Sequence, residues 1–185
     1  MARLYDAALK ERGNGFFSIY VPGVGTPFAD VGDTNQDGDT LGGGAARYGA
    51  DRIHWAILQV INSVHQYLNG GDLIQPNEAK VLVASMSETR LLEGMTRRAM
   101  LTAIAQRLER VVKGHQRRVK SVHVSVFGFS RGAAQARAFV HRLYETAEAW
   151  GSGCGYNIAG IPLYLNFMGI FDTCLLYTSP SPRDS

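Results

Sequence analysis

The residues with the clearest chemical potential form the pentapeptide Gly128-Phe129-Ser130-Arg131-Gly132, which fits the pattern G-x-S-x-G. A β-rich run, VHVSVF, precedes it, and an alanine-rich stretch, AAQARAF, follows it. A serine on a sharp turn between a strand and a helix presents its hydroxyl as a nucleophile for acyl transfer. We expect glycine on both sides because larger side chains would collide there. The alternative is a glycine-rich turn in a nucleotide-binding sheet.

A serine nucleophile needs a general base, and the base needs an orienting acid. Asp172 follows Ser130 by 42 residues and ends the apolar run LNFMGIF. Reactive groups in open α/β sheets gather at the carboxyl ends of parallel strands. We therefore predict Asp172 as the acid; the alternative is that it caps a following helix.

The histidine base is expected after the acid in the chain, but no histidine follows Asp172. His141 lies 11 residues after Ser130, and at ~1.5 Å per helical residue it is too distant to touch the hydroxyl. We expect all five histidines to be structural or on the surface: His54, His65, His115, His123 and His141.

Backbone amides near the serine are candidates for stabilising an oxyanion. The amide of Arg131 begins the following helix, and Gly23 and Gly25 lie in the segment PGVGT after an apolar run. We predict this loop beside the oxyanion pocket; a plain turn is the alternative. The Arg131 side chain either pairs with a lipid phosphate or braces the turn through a carboxylate.

Two further patterns suggest ligands only weakly. The stretch Asp33 to Asp39 starts like a calcium loop, but Gly44 stands where the twelfth position requires a glutamate. We expect an acidic loop, and no metal or cofactor. A basic run either touches anionic lipid headgroups or forms a solvated helix end: Arg107, Arg110, Lys113, Arg117, Arg118 and Lys120.

Composition predicts one packed domain, since 45% of the 185 residues are hydrophobic and 19% are charged. The net charge of +3 is too small to argue for nucleic acid. No apolar stretch is long enough to span a membrane, and the start, MARLYDAALKERG, is no signal peptide.

The elements that must position these residues alternate between helix and strand. This order predicts an α/β fold with a mainly parallel sheet flanked by helices. We predict helices at 2–12, 51–68, 87–113 and 133–147, strands at 16–21, 119–127 and 163–171, and an ambiguous apolar run at 80–84.

Residues 174–185, CLLYTSPSPRDS, resemble the in-frame translation of a sequencing adapter found in metagenomic gene fragments. The alternative is a native polar tail. We expect the native domain to cover residues 1–173 and the adapter-derived tail, from Cys174 to Ser185, to lie outside it.

Four segments together carry a resemblance to a known family: GFSRGAAQAR, YVPGVGTPF, GGGAARYGADRI and FMGIFDT. Over residues 2–173 the sequence resembles the α/β-hydrolase domain of type VI secretion phospholipase effectors and their uncharacterised relatives. The resemblance implies Ser130 as nucleophile and Asp172 as acid in an incomplete α/β-hydrolase fold. The family's leading strand with Asp-Gly-Thr is missing, so we expect truncation at both ends.

The same resemblance implies a biological setting. It implies a membrane phospholipid as substrate, an immunity protein and a secretion-spike protein as partners, and synthesis in the cytoplasm followed by type VI secretion. The fragment itself is expected to be inactive because its histidine is missing. The alternative is a catalytically idle binding module of a secretion-associated protein.

Overall fold

The computed structural model describes residues 2–34, 43–87, 93–150 and 155–173. Within these ranges the chain forms five α-helices and three strands. The helices are α1 (Ala2–Ala7), α2 (Gly43–Asn69), α3 (Pro76–Ser87), α4 (Glu93–Gly114) and α5 (Arg131–Trp150). The strands are β1 (Val122–Phe129), β2 (Asn157–Ile158) and β3 (Ile161–Phe171).

The longest helix, α2, forms the centre of the core. Ile57, Ile61 and Val64 repeat at spacings of three and four and are almost fully buried. The helix ends where Gly70 takes a φ of 80° and its amide donates to the carbonyl of Gln66. Glycine suits this position because it reaches positive φ without strain. Helices α3, α4 and α5 all contact α2.

The sheet has the strand order β1-β3-β2, with β1 parallel to β3 and β2 antiparallel to β3. A tight hairpin joins β2 to β3, with Ala159 at φ 52° and Gly160 at φ 79°. Two consecutive residues at positive φ match the right-handed twist of the flanking strands. The sheet is therefore small and mixed.

The prediction of an incomplete α/β-hydrolase fold, with a mainly parallel sheet flanked by helices, is wrong. The described residues contain a single parallel pair of strands, and α5 packs on one face of that pair. On the other face, Phe127, Phe129, Phe167 and Phe171 remain between 43% and 52% exposed. The fold is mixed α/β with helices gathered on one side of the sheet.

Two apolar runs account for part of this difference. Residues 16–21, predicted as a strand, form no strand. The run at 80–84 belongs to α3, where Ala79, Val83 and Met86 are buried at helical spacing while Val81 is 65% exposed. The two valines alternate as they would in a strand, but the buried residues repeat at helical spacing, and the run is helical.

The described part of the chain contains no helix that is both long and apolar enough to cross a membrane. The tail at 174–185 lies outside the described residues.

Candidate active site

Residues 128–132, which we call the elbow, connect the end of β1 to the start of α5. Ser130 has a φ of 54°, a left-handed conformation that non-glycine residues rarely adopt. Its side chain is half-buried. Backbone strain of this kind persists only where surrounding structure enforces it, and it concentrates at functional sites.

The two elbow glycines meet different surroundings. A Cβ on Gly128 would lie 2.2 Å from the carbonyl oxygen of Gly132 and 2.8 Å from the Cα of Ala133. A Cβ on Gly132 would have no atom within 4 Å. The expected collision is therefore present at Gly128 and absent at Gly132, because the helix turns directly over the first glycine and away from the second.

Asp172 stands level with Ser130 at the carboxyl end of the neighbouring strand. Phe129 pairs with Phe171 in the parallel register, so Ser130 and Asp172 each follow a paired phenylalanine. The amide of Ser130 donates to the carbonyl of Phe171 at 2.9 Å, which ties the two strand ends together. Asp172 also has a positive φ, 49°, and its side chain is exposed.

A β-bulge sets this alignment. Val124 pairs with Leu165, but Ser125 pairs with Phe167, so Asn166 is an extra residue in β3. If the pairing continued without the bulge, Ser125 would pair with Asn166, every later partner would shift by one, and Asp172 would lie one residue beyond the level of Ser130. Bulges occur often beside active sites, where they redirect a side chain. This bulge brings the two predicted catalytic residues to the same level.

The segment PGVGT, residues 22–26, lies within contact distance of the Arg131 side chain of the elbow. The amide of Thr26 donates to the carbonyl of Gly23 at 3.0 Å, and Gly25 has a φ of 90°. These features are those of a type II turn, which requires glycine at its third position. We call residues 22–26 the PGVGT turn. In the described ranges, the amides of Gly23, Val24 and Gly25 have no hydrogen-bond acceptor.

The side chain of Arg131 connects the turn to the elbow. A Cβ on Gly25 would lie 3.5 Å from both terminal nitrogens of Arg131, so the guanidinium packs against the turn's backbone. Arg131 is exposed, and no carboxylate pairs with it in the described part of the chain. Bracing through a carboxylate is therefore absent there.

A fully buried arginine, Arg52 of α2, donates hydrogen bonds to the backbone of the PGVGT turn. Its Nε donates to the carbonyl of Pro22 at 3.0 Å, and its Nη2 donates to the carbonyl of Thr26 at 2.6 Å. Nη2 also lies 2.8 Å from the carboxylate of Asp33, and Nη1 donates to the carbonyl of Tyr48. Sequence reasoning missed Arg52, because nothing in a helical stretch indicates which arginine turns inward.

The first residue of the calcium-like stretch, Asp33, is thus occupied by the buried ion pair with Arg52. Residues 35–39 of that stretch lie outside the described residues. Among the groups the structure does describe, no cluster of histidine, cysteine, aspartate and glutamate could hold a metal ion.

None of the five histidines is hydrogen-bonded to Ser130 within the described ranges. His54 is buried, and burial together with Arg97 and Arg142 lowers its pKa from 6.5 to about 3. Its Nδ1 has no hydrogen-bond partner in the described part of the protein. The others have local contacts: His65 with Gly71, His115 with Arg117, His123 with Ser121 and Tyr164, and His141 with Glu145.

The basic run lies at the opposite end of the sheet from the elbow. Residues 113–120 precede β1, whereas Ser130 follows it, and eight strand residues span roughly 25 Å. Arg117 donates to the carbonyl of Tyr67 at 2.9 Å and lies over its ring. The cations that directly precede β1, Arg117, Arg118 and Lys120, are therefore too distant to contact a group held at Ser130.

The fold is similar to that of a solved structure. The chain superimposes on the crystal structure of an uncharacterized protein from Pseudomonas aeruginosa, with a TM-score of 0.81 and 30% sequence identity. The match covers 93% of this chain and 26% of the other, so this chain spans about a quarter of that protein's length. No protein-family model and no curated protein matches. The comparison supports the fold and carries over no activity.

Proposed function

We propose that the protein is part of a serine esterase that hydrolyses lipid esters, of the phospholipase type its sequence resembles. The observation that carries this proposal is the level placement of Ser130 and Asp172 at two hydrogen-bonded strand ends, both at positive φ. Ser130 is the nucleophile, and Asp172 is the acid that orients a histidine.

The proposed reaction is acyl transfer to Ser130. The hydroxyl oxygen attacks the ester carbonyl while a base removes its proton, and the alcohol leaves with a proton returned by that base. Amides of Arg131 and of the PGVGT turn donate to the oxyanion. Water then releases the acid from the serine ester.

All five histidines lie among the described residues and none of them is hydrogen-bonded to Ser130, so we propose that the general base is a histidine other than these five. An assay that supplies imidazole in solution tests the proposal on the chain itself. We expect hydrolysis of a short p-nitrophenyl ester to rise with imidazole concentration and to exceed the rate of Ser130→Ala with the same imidazole. Equal rates for both proteins at every imidazole concentration contradict the proposal.

The phospholipid class rests on the exposed Arg131 guanidinium beside the elbow, which has no carboxylate partner in the described residues. A guanidinium binds phosphate oxygens through paired hydrogen bonds. In the imidazole assay, Arg131→Gln should raise KM for a short-chain phospholipid and leave KM for a neutral ester unchanged. Arg137→Gln, an exposed arginine further along α5, is the matched control. An unchanged phospholipid KM removes the headgroup role.

A second candidate is a catalytically idle module that binds a partner in a secretion-associated protein. The absence of any histidine bonded to Ser130 in the described structure favours it. The immunity protein, the secretion-spike partner and type VI export stay predictions from the resemblance. Serine-dependent turnover in the imidazole assay separates the enzyme from the idle module.

A further inference from the structure

We propose that Arg52 is a positioning residue for the reaction at Ser130, acting by fixing the PGVGT turn so that its amides face the acyl oxygen. The inference rests on the proposed esterase function and deepens it. Arg52 does not touch the elbow; it acts through the turn that packs against Arg131.

Burial of Arg52 is energetically costly. Its side chain is 0% exposed, and the Asp33 side chain that pairs with it is 6% exposed. Burying an ion pair carries a large desolvation penalty, and apolar residues of similar size often stabilise a fold as well or better. The arginine is therefore poorly explained by stability alone.

Arg52 binds acceptors at both ends of the PGVGT turn. Three of its acceptors lie in or just after the PGVGT segment: the carbonyls of Pro22 and Thr26, and the carboxylate of Asp33. The planar guanidinium fixes the directions of its hydrogen bonds. It therefore holds the segment at both ends and sets its orientation as well as its position.

The hydrogen bond from Arg52 to Pro22 also sets the direction of the Gly23 amide. In a trans peptide the carbonyl and the following amide point to opposite sides. Because the Pro22 carbonyl points inward to Arg52, the Gly23 amide points away from it. The amides of residues 23–25 have no acceptor within the described chain. Successive unpaired amides form a concave site for negative charge.

The test compares Arg52→Lys with the wild type in the imidazole assay. Lysine keeps the charge beside Asp33 but cannot reproduce the directed bonds to two carbonyls. We expect kcat to fall at least about tenfold, with KM within about twofold, because oxyanion donors act in the transition state. The loss should be much smaller for a thionoester, whose sulfur accepts hydrogen bonds weakly. Equal losses for both esters, or an unchanged kcat, overturn the positioning role.

Arg117→Lys is the matched control, since Arg117 also donates to a backbone carbonyl but lies at the other end of the sheet. It should leave kcat unchanged. Should Arg52→Lys not fold, Asp33→Asn takes its place; it removes the charge partner and keeps both carbonyl acceptors. We again expect a larger loss of kcat for the ester than for the thionoester, although both losses should be smaller than in Arg52→Lys. Equal losses for the two substrates overturn the proposal.

Hydrogen exchange separates this inference from the esterase proposal. The Thr26 amide closes the PGVGT turn, so Arg52→Lys should speed its exchange at least about tenfold, with the amides of α2 unchanged. If the Thr26 amide exchanges faster in Arg52→Lys but the wild type shows no serine-dependent turnover, the esterase proposal is contradicted. The role of Arg52 in fixing the PGVGT turn is then retained. Unchanged exchange at Thr26 contradicts the clamp, whatever the activity.

Discussion

Replacing the first elbow glycine by alanine should destabilise the fold far more than replacing the second. A Cβ at position 128 would lie 2.2 Å from the Gly132 oxygen and 2.7 Å from its carbonyl carbon. These are backbone atoms, which cannot rotate away as a side chain can. Overpacking of a core costs about 1–3 kcal/mol where side chains can yield, so we expect Gly128→Ala to cost at least about 3 kcal/mol.

The control is Gly132→Ala, two residues from the serine on its other side. Its Cβ would have no atom within 4 Å, and the residue lies in α5. Alanine is favoured over glycine in helices by about 0.5–1 kcal/mol, so this change should be neutral or slightly stabilising. The sequence pattern treats the two glycines alike, whereas the structure distinguishes them.

Urea unfolding followed by circular dichroism gives the free energy of unfolding of both variants, and thermal unfolding gives their Tm. For a chain of this size, about 3 kcal/mol corresponds to a drop of roughly 6–12 °C in Tm. A Gly128→Ala variant within about 1 kcal/mol of the wild type would refute the reasoning. So would a Gly132→Ala variant destabilised as much as Gly128→Ala, because the contact at position 128 would then not be the cause.

Three further outcomes are expected. Asp172→Asn should lower imidazole-dependent kcat at least about tenfold with little change in KM, since an orienting carboxylate acts on the transition state; unchanged kcat would assign the acid elsewhere. The pKa of His54 falls from 6.5 to about 3 on folding, so between these pH values the unfolded state binds the extra proton. The free energy of unfolding should therefore drop by ~1.4 kcal/mol per pH unit as pH falls from 6.5 towards 3. His54→Gln should remove this contribution from His54, and urea titrations across the range in which the slope persisted would contradict it. Gln135→Leu should stabilise the protein by about 1 kcal/mol in urea unfolding, because its buried Nε2 has no partner among the described groups; a loss of stability would show that this nitrogen is satisfied.

The local features of the site follow from the sequence because they depend on neighbouring residues. The β-run, the serine turn and the alanine-rich helix form β1, the elbow and α5. The placement of Asp172 at the end of a strand follows in the same way. Its level alignment with Ser130 does not, since this depends on the extra residue Asn166, which no alternation pattern reveals.

The extent of the sheet was beyond the sequence pattern because it depends on tertiary partners. Residues 16–21 have strand composition, but no strand in the described ranges pairs with them. The valines at 81 and 83 alternate as in a strand, yet burial of Val83 beside Ala79 and Met86 places them in a helix. The role of Arg52 is equally nonlocal, since its acceptors Pro22 and Thr26 lie 30 and 26 residues away. An arginine in an amphipathic helix looks like a surface residue before its partners are known.

We propose that Ser130 is a nucleophile, and that its activation needs a base that the described residues do not bring to it. The most direct measurement is phosphonylation by a fluorophosphonate, with and without imidazole, mapped by mass spectrometry of the peptides. We expect an adduct on Ser130 that forms faster with imidazole and is absent from Ser130→Ala. An adduct on another residue, or labelling of the wild type no faster than of Ser130→Ala, would contradict it.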